Sequence, residues 1–148
     1  MIITRYPYLA DEKEFKLFRD ADIIITFTRR KQALDYSDLP PKNGSEKETH
    51  RALKKYAETL LKDLGANDVR FEGYLIDVSS HQLRIAIECG DTPIYRIWDM
   101  LFADSHGRWI KEVWCIYVIG EEDIEIVKFV KPPKLLEYER EIGWFSTF

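Results

Sequence analysis

Two acids set among apolar and β-branched residues are the side chains of this chain best placed to do chemistry. Asp77 lies in the run Tyr74 to Val78, and Glu88 lies in the run Leu83 to Cys89. Strand interiors are poor in Asp and Glu, because an ionised carboxylate in a partly buried sheet is costly unless a cation or hydrogen-bond donors meet it. Two carboxylates converging on one point are the usual protein ligands for Mg²⁺, which takes hard oxygen donors and keeps several waters. The plainer alternative leaves both acids at strand ends, in solvent.

Which of these holds depends on the elements that carry the pair. The two runs flank the polar stretch Ser79 to Gln82, the pattern of a hairpin whose first strand spans Val69 to Val78. A two-residue turn at His81-Gln82 places Asp77 opposite Ala86 and on one face with Glu88. A Ser80-His81 turn keeps the shared face at a larger separation, whereas a three-residue turn sends the acids to opposite faces. Glu72 is a rival of opposite parity to Asp77; because it shares no face with Asp77 the two cannot both join Glu88, and Asp77 is preferred for its spacing.

Upstream, Ser45-Glu46-Lys47-Glu48 reads as a capping box opening a helix. Leu53, Tyr56, Ala57, Leu60, Leu61 and Leu64 keep the helical period, and Gly65 stops it. Glu46 falls on the face of Leu53 and Leu60, where it can interact with the helix N-terminus; Glu48 is left to capping. Lys47, Arg51, Lys54, Lys55 and Lys62 lie mostly off that face and are expected in solvent. Downstream, Thr92-Pro93 reads as N-cap and N1 of a helix reaching Phe102, with Ile94, Ile97, Trp98 and Leu101 as its stripe. Arg96 lies opposite that stripe and is expected to face solvent, unless its long side chain swings back to a phosphate.

Asp77 followed, after ten intervening residues, by Glu88 within Ile85-Ala86-Ile87-Glu88-Cys89-Gly90 resembles the metal-binding core of the PD-(D/E)xK, or restriction-endonuclease-like, nucleases. The resemblance spans about residues 45 to 119. In that superfamily a helix with an inward-facing Glu precedes a hairpin, the Asp comes early in the hairpin, and Glu-x-Lys closes its second strand. The resemblance implies a restriction-endonuclease-like core and hydrolysis of DNA phosphodiesters with Mg²⁺ or Mn²⁺. It implies Asp77 and Glu88 as metal ligands, the Cys89 carbonyl as a further one, and Glu46 as the inward Glu. Gly90 stands where the Lys belongs, which leaves Arg96 or another basic residue to replace it. A nuclease-fold module without cleavage, used for binding or assembly, is the other reading.

At 148 residues, 45% hydrophobic and 32% charged, the chain has the size and composition of a single folded domain. The expected division is an N-terminal helix and strand in 1–31, a core over about 45–130, and an aromatic tail in 134–148 that docks on the body or on a second copy, as a homodimer. No apolar run reaches membrane-spanning length and no signal-peptide h-region is visible, so a cytoplasmic location without membrane contact is expected. Cys89 and Cys115 fall in apolar runs and are expected as reduced core thiols. His50, His81 and His106 show no metal spacing, and there is no Gly-rich phosphate loop.

The net charge of -4 argues weakly against a general nucleic-acid surface, but residues Arg29 to Lys55 hold eight Lys or Arg against four Asp or Glu. Within that zone Arg29-Arg30-Lys31 follows a strand expected from Asp22 to Arg29, as a solvated loop or a phosphate contact. A central strand is expected over Glu112 to Ile119 and an edge strand over Asp123 to Val130, where Ile124 and Ile126 alternate with acids. The order of elements predicts an α/β fold, a mixed central sheet flanked by helices.

Overall fold

The computed structural model describes residues 12–103, 109–120 and 122–143. The β-branched runs form strands β1 (Ile24–Lys31), β2 (Arg70–Phe71), β3 (Val78–Ser80), β4 (Ile85–Cys89), β5 (Glu112–Val118) and β6 (Asp123–Val130). The amphipathic stretches form helices α1 (Glu12–Asp20), α2 (Glu48–Asp63), α3 (Ile94–Phe102) and α4 (Pro133–Glu141). All six strands join one sheet in the order β1-β6-β5-β4-β3-β2. Only β4 and β5 are parallel neighbours, and α3 makes the crossover between them that a parallel pair requires. The fold is thus α/β with a mixed sheet, as the order of elements predicts.

Both sheet faces are covered. Leu53, Ala57, Leu60 and Leu61 of α2 pack with Val78, Ile85, Ile87, Trp114, Ile116, Ile124 and Ile126 on one face. Ile94, Ile97, Met100 and Leu101 of α3, with Phe18 of α1, pack with Ala86, Val113, Cys115, Val127 and Phe129 on the other. The even and odd positions of β5 and β6 divide between the two clusters, the period of two that a sheet buried on both sides imposes. Cys89 and Cys115 are buried free thiols.

Several boundaries depart from expectation for definable reasons. The first hairpin strand is broken: Glu72 and Leu75 take left-handed backbone (φ 58° and 62°), and Gly73–Leu75 closes a 3-10 turn between β2 and β3. Residues 70 to 89 are therefore a three-stranded meander rather than one hairpin. Strand β6 lies between β1 and β5, so β1 takes the edge that the alternation of β6 suggested for β6 itself. Arg29, Arg30 and Lys31 belong to β1 instead of a loop after it. Helix α2 begins at Glu48 behind Lys47 with no side-chain cap, so the expected capping box does not form. Its C-terminus meets expectation: Gly65 at φ 98° follows it, and the Gly65 and Ala66 amides bond the Lys62 and Leu61 carbonyls in a Schellman arrangement. Leu64 falls outside the stripe and is exposed. Pro93, not Thr92, is the N-cap of α3, and Thr92 Oγ1 lies 3.4 Å from the Gly90 carbonyl instead of capping the helix. The expected turn Ser105-His106-Gly107 and the aromatics Trp144, Phe145 and Phe148 lie outside the described residues.

Candidate functional site

The β3–β4 ladder pairs Val78 with Ile87, Ser79 with Ala86 and Ser80 with Ile85, so the connection is the four-residue turn His81–Arg84. One more step of that register sets Asp77 directly opposite Glu88. Lengthening the turn by two residues preserves the parity of the two-residue alternative and moves the acids from diagonal to facing positions. Each carboxylate then binds the other strand's backbone: the Asp77 amide donates to Glu88 Oε2 at 3.2 Å, and the Cys89 amide donates to Asp77 Oδ2 at 2.8 Å.

Cations approach from two helices. Arg96 turns to the acids, not to solvent as expected: its Nε donates to Glu88 Oε1 at 3.0 Å, and a terminal nitrogen donates to the Leu75 carbonyl at 2.6 Å. The left-handed Leu75 supplies that carbonyl, which a continuous strand would have turned into the ladder. From the start of α2, His50 Nε2 meets Asp77 Oδ2 at 3.2 Å while Nδ1 meets Glu46 Oε2. Glu46 lies just before the helix, where Oε1 accepts the Asn43 amide at 3.1 Å.

Lys54, expected in solvent, has a fully buried side chain. It donates to Glu46 at 3.0 Å and 3.3 Å and to Glu72 Oε1 at 2.8 Å. Glu72 thus enters the same network as Asp77. The parity argument that separated them assumed an unbroken strand, and the 3-10 turn removes that assumption. Glu46, just before the helix, and His50 and Lys54 within it are spaced four apart, and that spacing was the available sequence signal for the two residues that were missed.

The electrostatics follow from these contacts. Burial and then the neighbouring Asp77 charge push the Glu88 carboxyl up to about 7, against the opposing bonds from the Asp77 amide and Arg96. Burial also works to raise Asp77, but His50, the Cys89 amide and Glu88 hold it below the ordinary carboxylate value. The hydrogen bond to Asp77 leads the effects that raise His50 to about 9, so the ring carries protons on both nitrogens at neutral pH. Burial opposes the charge on Lys54 and on Glu46, yet their mutual bonds, with Glu72 and His50, keep both ionised. Burial drives the Cys89 thiol well above its usual value, so that residue can offer an ion its main-chain carbonyl and not a thiolate.

Asp77, Glu88, Cys89, Thr92, Tyr95 and Arg96 line a cavity of about 330 Å³. Among the described residues no three His, Cys, Asp or Glu side chains stand ready as a metal cluster. Two opposed carboxylates, one of them raised by the other's charge, nonetheless suit a hard divalent cation that retains water in its remaining positions. Glu88 Oε1 is already held by Arg96 and Asp77 Oδ2 by His50 and the Cys89 amide, so an ion at this pair would share oxygens that those donors occupy. No family model, no curated protein and no solved structure matches this chain. Among the described residues no helix is long and apolar enough to cross a membrane.

Proposed function

We propose that the chain is a metal-dependent nuclease of the PD-(D/E)xK kind that hydrolyses DNA phosphodiesters. The observation that carries this reading is the facing pair Asp77 and Glu88 at the end of β4, with Glu88 raised to about 7 at the wall of an open cavity. Asp77, Glu88 and the Cys89 carbonyl would hold the Mg²⁺ or Mn²⁺. Bound there, the ion supplies charge neutralisation for the attacked phosphate and a lower pKa for water.

The chain's own residues have separable tasks. Glu46 and Lys54 fix His50, and His50 fixes Asp77, so the helix sets the direction of the first carboxylate. Arg96 fixes Glu88 and lines the cavity, where its guanidinium can meet a phosphate oxygen. Gly90 has left-handed backbone (φ 88°) and nothing within 4 Å of where a Cβ would stand, so a Lys there would be strained. Arg96 is the cation that takes its place beside the acids.

Incubating the chain with plasmid and single-stranded DNA in Mg²⁺ or Mn²⁺ tests the proposal. Cleavage that EDTA stops and Glu88→Ala abolishes is the expected result. The alternative, a nuclease-fold module that binds or assembles without cutting, draws on a specific observation: Lys54 and Arg96 are each already held by a carboxylate. It also draws on the exposed Tyr138 and Ile142 of the α4 region, through which a homodimer would form. Intact DNA together with a dimer in sedimentation would favour it.

A further inference from the structure

Strands β1, β4 and β5 run in one direction, since β1 and β5 are each antiparallel to β6 and β4 is parallel to β5. Their C-terminal ends share one edge of the sheet, the edge at which open α/β sheets bind ligands. Glu88 lies there on β4. On the same edge, Arg29 of β1 faces Glu125 of β6, and Glu125 faces Tyr117 of β5. Gly90 continues that row one strand further, by the β4–β5 register.

Glu125 is an acid inside the sheet, its side chain 1% exposed. Tyr117 donates its hydroxyl to Glu125 Oε1, and Arg29 Nε donates to Oε2 at 3.1 Å. The arginine is 48% exposed. Replacing such a buried ionic group with apolar residues often leaves stability unchanged or higher, so stability alone does not account for it. What the arrangement does achieve is orientation: a buried carboxylate grips the inner edge of a guanidinium whose outer edge reaches solvent. Three strand spacings, about 14 Å, separate β1 from β4, a span of about four base-pair steps along one DNA strand.

We infer that Arg29 is a phosphate-contact residue for the nucleic-acid backbone seated at Asp77 and Glu88, with Glu125 and Tyr117 as its positioning residues. This rests on the nuclease reading above. The contact adds one ion pair with the backbone and fixes the strand's path across the sheet edge. Arg30, which reaches Tyr56 of α2, and Lys31 continue the cationic end of β1.

Binding of a short fluorescein-labelled DNA duplex, followed by anisotropy in EDTA across a salt series, tests the inference. Arg29→Ala should weaken binding several-fold and reduce the slope of log K against log salt by about 0.9, the contribution of one phosphate. Arg29→Lys should keep the slope but bind less tightly, having lost the fork. Tyr117→Phe should weaken binding while the protein stays folded at the assay temperature, a readout that carries the test if Glu125→Gln fails to fold. Wild-type binding with an unchanged slope in Arg29→Ala overturns this inference and leaves the nuclease reading standing. No binding by the wild type, with no cleavage in Mg²⁺, overturns both.

Discussion

Two groups of buried charge in this protein are built on opposite plans. Lys131 and Glu139 have side chains 0% and 7% exposed, and Lys131 Nζ meets both Glu139 oxygens, at 3.0 Å and 3.2 Å. Burial drives the lysine's pKa down, its carboxylate partner resists, and the Arg84 charge acts on both. At the end of β4, four carboxylates (Glu46, Glu72, Asp77 and Glu88) meet three cations (His50, Lys54 and Arg96). Burial, and after it the neighbouring Asp77 charge, raises the Glu88 carboxyl. A pair matched within the fold asks for nothing further; a site with an unmatched carboxylate is completed from outside, by a proton or by a cation.

The contrast is most exposed to disproof by stability. Removing Lys131 leaves Glu139 buried and unpaired, so Lys131→Ala should lower unfolding free energy by ~3–5 kcal/mol in urea titrations. The double replacement Lys131→Met with Glu139→Leu should recover most of that. Glu88→Gln should behave in the opposite sense: unchanged, or more stable by roughly 1 kcal/mol at alkaline pH, because it removes the charge that Asp77 disfavours. A loss as large as that of Lys131→Ala would show that Glu88 is a matched structural acid too.

The pH dependence sharpens the same point. Glu88, raised from 4.5 to about 7, takes up a proton on folding, so its contribution falls as pH rises between those values. His50, raised from 6.5 to about 9, stabilises the fold fully below 6.5 and loses that contribution as pH rises through 9. Both slopes have one sign and, in urea titrations, lower stability between about pH 5 and pH 9, against an opposing rise below 6.5 from His81 and toward 10.5 from Lys131, whose pKa values burial lowers. Glu88→Gln should flatten the lower part and His50→Gln the upper part, while Mg²⁺ should offset the decline by replacing the proton at Glu88. The smallest effect belongs to the exposed pair Lys62 and Glu58, 3.5 Å apart. Lys62→Ala should change stability by no more than ~0.5 kcal/mol, which sets the scale for charges outside both groups.

Much of the fold was legible in the residues. The stripes of α2 and α3, the central strand β5 and the stop at Gly65 were all expressed in local periodicity. The candidate acids Asp77 and Glu88 were found by their unfavourable surroundings, and they do face one another. Lys54 escaped because its charge argued for solvent, and only contacts with Glu46 and Glu72, which arrive from elsewhere in the chain, make its burial tolerable. Arg96 was placed correctly on its helix, but a helical wheel does not show a carboxylate waiting behind it. The edge position of β1 was equally hidden, since strand order is a property of pairing and not of either strand alone.

The chain's own periodicity determined the helices, most strands, and the type of residue at each candidate position, because these depend on interactions between residues a few positions apart. The tertiary structure decided the four-residue turn, the break at Glu72 to Leu75 and the gathering of Glu46, His50, Lys54 and Glu72 around Asp77. Register and burial of charge are set by partners distant in sequence. A carboxylate's pKa, and so the chemistry it can do, is determined only when those partners are in place.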